Sequence, residues 1–167
     1  MQTLATVTTV FAFVAIAIHV YIWIIESFLW TKPRGRETFG MTEEFAESTK
    51  EMAANQGLYN LMLAWIAATG LLAFWFGSPQ VGVALLFAGL GSMAVAGAYL
   101  FLTSPDKRKP ALIQLTPPLL ALIFLFATNL IQIGTSQRIE AACYFYEVPR
   151  GFSLPGHTFA PEAQRLS

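Results

Sequence analysis

The sequence feature that most constrains the fold is a run of 54 residues, 52–105, that contains no Asp, Glu, Lys or Arg. The run is rich in Leu, Ala, Phe and Gly. A helix on the surface of a soluble domain needs a polar face, and this run has no charged residue to build one. Only 12% of the chain is charged, against about 25% in a typical soluble domain. We therefore expect an integral membrane protein.

Four segments are long and apolar enough to cross a bilayer as helices, since a spanning helix needs about 20 residues. The predicted spans are 3–28, 57–76, 81–103 and 111–133. Short links after spans two and three make neighbouring spans antiparallel. The predicted fold is thus an all-α membrane protein, with four transmembrane helices in an up-down bundle over 1–133. A tail containing prolines and aromatic residues follows over 134–167.

The segment between spans one and two is expected to form a short amphipathic helix on the cytoplasmic surface. Thr42 is a suitable N-cap, and Glu43 and Glu44 would lie in the first turn, where acidic residues are favoured. The apolar face of this helix would consist of Phe45, Thr49, Met52 and Gln56.

Two further details concern span four and the orientation in the membrane. Pro117 and Pro118 remove backbone donors, so span four should open irregularly or begin at the prolines. Loops 29–56 and 104–110 together carry seven basic residues, whereas the C-terminal tail carries three. Because basic residues concentrate on the cytoplasmic side, we expect both loops in the cytoplasm. Both termini would then lie outside the inner (plasma) membrane.

Two ionisable residues, His19 and Glu26, lie within span one. They are seven residues apart and therefore share a helix face, about 10 Å apart along the axis. Inserting an ionisable side chain costs about 2.5–3.5 kcal/mol on translocon scales, which makes such residues candidates for function. The alternative is structural, because Glu26 is close enough to the cytoplasmic end to reach water or an arginine of the first loop.

Polar residues also cluster where spans two and four enter the membrane. With the expected topology, the Asn55–Asn60 block and Gln114 lie at the same depth as Glu26, with His19 about two turns deeper. Buried polar groups need partners, so a shared network or a cytoplasm-facing cavity follows. The alternative is that these amides cap backbone groups at the interface. The predicted polar cluster comprises His19, Glu26, Asn55, Gln56, Tyr59, Asn60 and Gln114.

This composition argues against several kinds of site. Zinc needs three or four ligands, and His19 with Glu26 supplies two. No membrane serine or cysteine has an evident base, so we assign no catalytic residue and no metal site. Ten Lys and Arg balance ten Asp and Glu, which gives no reason to expect nucleic acid as a partner. No cofactor is evident, and the expected ligand, if one binds, is a lipid or another membrane molecule.

Span three carries small residues at intervals of four: Ala84, Ala88, Ser92 and Ala96. Small residues allow close helix packing in lipid. Packing within the bundle is the favoured interpretation, and contact with a protein partner through this face or the tail is the alternative.

Residues 1–133 resemble the small bacterial integral-membrane proteins of the domain-of-unknown-function 1304 family. The resemblance rests on His19-Val20-Tyr21-Ile22 with Glu26 and Phe28, on Asn55-Gln56-Gly57-Leu58-Tyr59-Asn60, on Gly97 with Thr103-Ser104, and on Gln114 with Pro117. It implies a compact four-helix membrane protein and names no reaction.

Three functions remain open from the sequence. A structural or accessory subunit of a membrane assembly is favoured, because of the small-residue face and the aromatic tail. A small-solute or proton-coupled transporter using Glu26 is the first alternative. A membrane enzyme using His19 as acid or base is the second, although its separation from Glu26 is too large for direct contact.

Overall fold

The structure is a computed structural model that describes residues 2–145. Its elements are α1 (Gln2–Ile24), a π-helical turn (Ile25–Leu29), α2 (Pro33–Phe39), α3 (Glu43–Phe76), α4 (Pro79–Thr103), a 3₁₀ turn (Pro105–Lys107) and α5 (Arg108–Phe145). The chain divides into two compact units, Met1–Ile131 and Gln132–Ser167. The candidate site lies entirely in the first unit.

The prediction of an all-α chain with four apolar spans is confirmed for the described residues. Four helical segments are long and apolar enough to cross a membrane: Gln2–Leu29, Glu43–Phe76, Pro79–Thr103 and Pro105–Arg138. The second and fourth are 34 residues long, or about 51 Å at the rise of an α-helix, whereas the hydrocarbon core is about 30 Å thick. Both helices are therefore long enough to extend beyond the hydrocarbon.

The expected surface helix is not a separate element, because α3 runs from Glu43 to the end of span two without a break. Its predicted start is confirmed, since the backbone N–H of Phe45 donates to Thr42 Oγ1 at 3.2 Å. The predicted apolar face was expected on the membrane surface, and it stays a prediction. Phe45 and Met52 are exposed. The buried side of this part of α3 is formed by the residues that follow them in sequence, Ala46 and Ala53. Small side chains there let α3 approach its neighbours closely.

A short helix that the sequence analysis did not predict, α2, lies between the π-helical turn and α3. It ends at Gly40, whose φ of 64° is readily adopted only by glycine. An ion pair between Arg36 and Glu43 connects it to the first turn of α3. Gly35 of α2 is buried against the carbonyl of Leu29, where any Cβ would overlap that oxygen. The first loop is therefore a folded connection.

The prediction for the start of span four is wrong, because α5 begins at Arg108 and continues through Pro117 and Pro118. Membrane helices tolerate internal prolines where neighbouring groups compensate for the lost hydrogen bonds. The Thr116 hydroxyl, directly before the prolines, donates to the carbonyl of Leu112 at 2.7 Å. The carbonyls that lose their helical donors to the prolines are those of Ile113 and Gln114. The helix also extends past the predicted end at 133 to Phe145. The remainder of the predicted tail, 146–167, lies outside the described residues.

Helices α3 and α4 pack closely along glycines, and their contacts run antiparallel. A Cβ on Gly70 would lie 2.9 Å from the backbone nitrogen of Leu86, and one on Gly89 would lie 2.9 Å from that of Ala67. At Gly82 it would overlap the backbone of Phe74. The core of the unit draws on α1, α3, α4 and α5: Ala12, Ala15, Ala64, Ala67, Leu86, Leu90, Met93, Ala121 and Leu125.

The structure corrects the favoured interpretation of the small residues on α4. Ala84, Ala88, Ser92 and Ala96 are exposed on the outer side of α4, so they do not pack against the part of the chain that the structure describes. Glycines and larger apolar residues on the opposite side make the internal contacts. Both sides of α4 carry small residues, and lipid supplies no polar contrast between them, so periodicity alone could not choose the buried side. Contact of this face, the α4 outer face, with a partner remains a prediction.

Candidate functional site

The polar cluster is organised around a hydrogen bond between the first two spans. Asn60 Nδ2 of α3 donates to Glu26 Oε2 at 2.9 Å and also reaches the carbonyl of Gln56 at 3.2 Å. Glu26 lies in the π-helical turn Ile25–Leu29. Such turns widen a helix by one residue and are frequent at functional sites. The widened turn and the amide together position the carboxylate between α1 and α3.

Close approach of the two helices at this level depends on Gly57. A Cβ at this position would lie 2.5 Å from Ser27 Oγ and 3.1 Å from Glu26 Cβ. A second hydrogen bond, from Trp30 Nε1 to Thr49 Oγ1 at 3.0 Å, joins the same two elements closer to the start of α3. The site is therefore held on regular, closely packed helices.

Glu26 lines a cavity of about 460 Å³, hereafter the Glu26 cavity. Asn60 and Gln114 also line it, so residues from three different spans meet there. Most of the remaining wall is apolar and aromatic, and the 3₁₀ turn contributes Lys107 at the edge. The residues that matter for the arguments below are Tyr21, Ile22, Ile25, Trp30, Phe39 and Ile113.

A second depression borders the same carboxylate. This groove of about 280 Å³ is lined by Glu26 and Trp30, which it shares with the cavity, and by Lys50 and Glu51 of α3. Lys50 is itself paired with Glu47 at 3.1 Å. Glu26 is thus reached from a charged groove on one side and from a largely apolar cavity on the other.

His19, the deepest member of the predicted cluster, lies apart from Glu26 and Asn60. Its side chain is fully buried, and its Nδ1 donates to the carbonyl of Ala15 at 2.9 Å. Its Nε2 has no hydrogen-bond partner among the described residues. His19 is not among the residues that line the Glu26 cavity.

The remaining predicted members are outside the cavity as well. Asn55, Gln56 and Tyr59 are exposed on α3, and only the backbone carbonyl of Gln56 contacts the cluster, through Asn60. Of the seven predicted residues, the structure brings together Glu26, Asn60 and Gln114.

Several cavity residues were missed by sequence reasoning. Tyr21 lines the cavity, and its hydroxyl accepts hydrogen bonds from Arg34 Nη2 at 2.9 Å and Nε at 3.3 Å. The residues from α1 and its continuation follow one helical face: Ile18, Tyr21, Ile22 and Ile25. Their spacing was a usable signal, but it is equally typical of ordinary packing. Phe39 could not have been found this way, because α2 itself was not predicted.

The described residues contain no group of three or more His, Cys, Asp or Glu side chains that could hold a metal ion. What the site does offer is a carboxylate held by an amide at the wall of an apolar cavity. That arrangement can hold an apolar molecule and orient one polar group on it.

Comparison with known proteins gives a single result at the level of family. No curated protein and no solved structure matches the chain. A family model, described as "Protein of unknown function (DUF1304)", matches residues 13–126. This range contains Glu26, Asn60 and Gln114, and it covers well over half of the chain. The protein therefore belongs to the DUF1304 family.

Proposed function

We propose that the protein is a four-span, up-down bundle of the inner membrane that binds a small, largely apolar molecule in the Glu26 cavity. Loops 29–56 and 104–110 would face the cytoplasm, with both termini outside. The distribution of basic residues supports this orientation. The antiparallel contacts of α3 with α4 support the bundle topology.

The observation that carries the functional proposal is the Glu26–Asn60 hydrogen bond at the wall of the cavity. If the hydrogen bond served only to join α1 and α3, we would expect it in a closely packed helix interface without a cavity beside it. Here the carboxylate borders about 460 Å³ of space, within the range of about 300–1,000 Å³ found for small-molecule sites. An apolar wall with a few convergent polar groups is also typical of such sites.

Filling the cavity tests this proposal. Ile22 lines the cavity, whereas Ile123 is an exposed isoleucine of α5 outside it. We expect phenylbutylamine or phenylbutanol to raise the melting temperature of the protein in lipid nanodiscs. Ile22→Phe should abolish this shift, and Ile123→Phe, the same substitution outside the cavity, should preserve it. Equal shifts in both variants would place binding elsewhere and refute the proposal.

A second candidate is the structural or accessory subunit that the sequence favoured, and the exposed α4 outer face supports it. Ala84, Ala88, Ser92 and Ala96 form a small-residue surface of the kind that membrane helices use for association. If this face contacts a partner protein, Ala88→Phe should remove a stoichiometric partner from the purified complex. Unchanged co-purification would argue against that use of the face.

A further inference from the structure

We propose that the ligand of the Glu26 cavity is an organic cation, an amine with an apolar body, whose charged group pairs with Glu26. This inference rests on the function proposed above. The positive charge would sit at the Glu26–Asn60 end of the cavity, and the apolar body would lie along the isoleucines of α1 and α5.

The first argument is the balance of charge. Glu26 takes part in none of the ion pairs among the described residues, which are Arg36–Glu43, Lys50–Glu47 and Lys107–Asp106. Lys107, the cation at the edge of the cavity, is already paired with Asp106 at 3.1 Å. Arg34 is engaged by the Tyr21 hydroxyl. Glu26 is half-buried and, when ionised, is stabilised by a counter-charge. None of the ion pairs among the described residues supplies one, so we assign that role to the ligand.

The second argument is the kind of hydrogen-bonding group that faces the ligand. Asn60 Nδ2 donates to Glu26 and to the Gln56 carbonyl, so its amide protons are engaged and its Oδ1 remains as an acceptor. In a helix, the carbonyl of Gln114 would accept a hydrogen bond from the backbone N–H of residue 117 or 118. Both residues are prolines, which have no N–H, so this carbonyl lacks its helical donor. Asn60 and Gln114 both line the cavity. These two acceptors match a ligand that brings donors, as an ammonium group does.

The third argument is the wall. The aromatic residues Trp30 and Phe39 line the cavity, and their ring centroids are 5.1 Å apart. Tyr21 also lines it, but the Arg34 guanidinium already lies over the Tyr21 ring, 5.8 Å from the centroid. Aromatic faces attract cations. Ile22, Ile25 and Ile113 provide the apolar surface for the rest of the molecule. An anion would be repelled by the Glu26 carboxylate, and a neutral molecule would leave the ionised carboxylate without a counter-charge.

A series of ligands with one apolar body tests the inference: phenylbutylamine, phenylbutanol and phenylbutyrate. Affinities are measured by tryptophan fluorescence on the full-length protein in nanodiscs of zwitterionic lipid, with empty nanodiscs as the partition control. We expect the amine to bind at least ~10-fold more tightly than the alcohol, which corresponds to about 1.4 kcal/mol. Phenylbutyrate should bind most weakly.

The matched variants are Glu26→Gln and Glu44→Gln. The glutamine can still accept the Asn60 hydrogen bond, so we expect the fold to persist while the preference for the amine disappears. Glu44 is exposed in the first turn of α3, and its variant should behave as wild type. A second measurement needs no variant: dicyclohexylcarbodiimide should modify Glu26, as mapped by mass spectrometry. The quaternary amine with the same body, phenylbutyltrimethylammonium, cannot couple to an activated carboxyl and should protect Glu26.

The outcomes separate the two proposals. Equal affinities for amine and alcohol, both lost in Ile22→Phe, would overturn the cation inference and leave the binding function standing. Absence of binding for all three molecules would overturn both. A preference for the amine that survives in Glu26→Gln, or failure of the quaternary amine to protect Glu26, would also overturn the inference.

Discussion

Gly57 of α3 lies directly against Glu26, so closely that a Cβ on the glycine would approach the Glu26 Cβ to 3.1 Å. The glycine thereby allows α3 to approach the π-helical turn, and it brings Asn60, nearly one turn further along, within hydrogen-bond distance of the carboxylate. The cavity wall is thus defined by a backbone contact as much as by the polar side chains.

We predict that Gly57→Val separates α3 from the π-helical turn. The new side chain meets Ser27 Oγ and the backbone of Trp23 as well as Glu26, and overpacking of this kind typically costs about 1–3 kcal/mol. Ligand affinity should fall together with the free energy of unfolding, measured in detergent micelles. The matched control is Gly91→Ala, where an added Cβ meets nothing within 4 Å. That variant should gain about 0.5–1 kcal/mol from helix propensity. Comparable loss in both variants would contradict the prediction.

The two sides of α4 should respond differently to substitution. Gly82→Ala places a Cβ on the backbone of Phe74, and the two helices can accommodate it only by moving apart. We therefore expect a strongly lowered melting temperature. Ala84→Val, on the exposed outer face only two residues away, should change the melting temperature little. A tolerant Gly82→Ala variant would show that α3 and α4 pack less closely than the structure indicates.

A double-mutant cycle should measure the coupling of Glu26 to Asn60. Asn60→Leu removes the donor and leaves the carboxylate unsatisfied, which we expect to cost about 1–3 kcal/mol. Replacing both residues with leucine removes both polar groups and should cost less than the sum of the single changes. The readout is unfolding in micelles by circular dichroism. Additive effects would mean that the two side chains are not coupled.

His19→Leu should leave both fold and ligand binding intact. The imidazole is buried with its Nε2 unpartnered among the described residues, so an apolar replacement removes an unsatisfied atom and should change stability by less than about 1 kcal/mol. His19 does not line the Glu26 cavity, and affinity for phenylbutylamine should therefore be unchanged. Loss of binding with normal stability would instead assign His19 to the site.

Thiol labelling can test the proposed topology, because Cys143 is the only cysteine of the chain. In a Cys143→Ser background, Asp106→Cys places a thiol on the 3₁₀ turn, at an exposed position. We expect an impermeant maleimide to label it only after the cells are opened. A cysteine in the C-terminal segment, Gly151→Cys, should be labelled on intact cells. If Asp106→Cys were labelled on intact cells and Gly151→Cys only after the cells are opened, the orientation would be the opposite of the one proposed.

Several elements could be predicted from local pattern alone. The charge-free run and the spacing of the remaining charges predicted four apolar helices, since crossing a bilayer demands length and apolarity from each helix independently. The Thr42 N-cap was equally local, because it depends on a residue and a backbone group three positions apart. Glu26, Asn60 and Gln114 were identified as candidates because polar groups in a membrane span are costly wherever they lie.

Other features depended on which surfaces meet. The outer face of α4 and its packing face both carry small residues, and only the contacts Gly82–Phe74 and Gly89–Ala67 distinguish them. Likewise, the spacing of His19 and Glu26 places them on one face of a helix, but Asn60 hydrogen-bonds Glu26, and His19 is not among the residues that line the cavity. Pro117 and Pro118 do remove two backbone donors, but α5 continues through them as a helix.

The sequence by itself determined that this chain forms apolar helices with a few costly polar groups at one level, because hydrophobicity and charge act residue by residue. Only the tertiary structure decided which of those groups meet. Glu26 pairs with Asn60 where Gly57 lets α3 approach the widened turn at 25–29. This approach depends on the distance between two backbones that are far apart in sequence, and no local pattern specifies that distance.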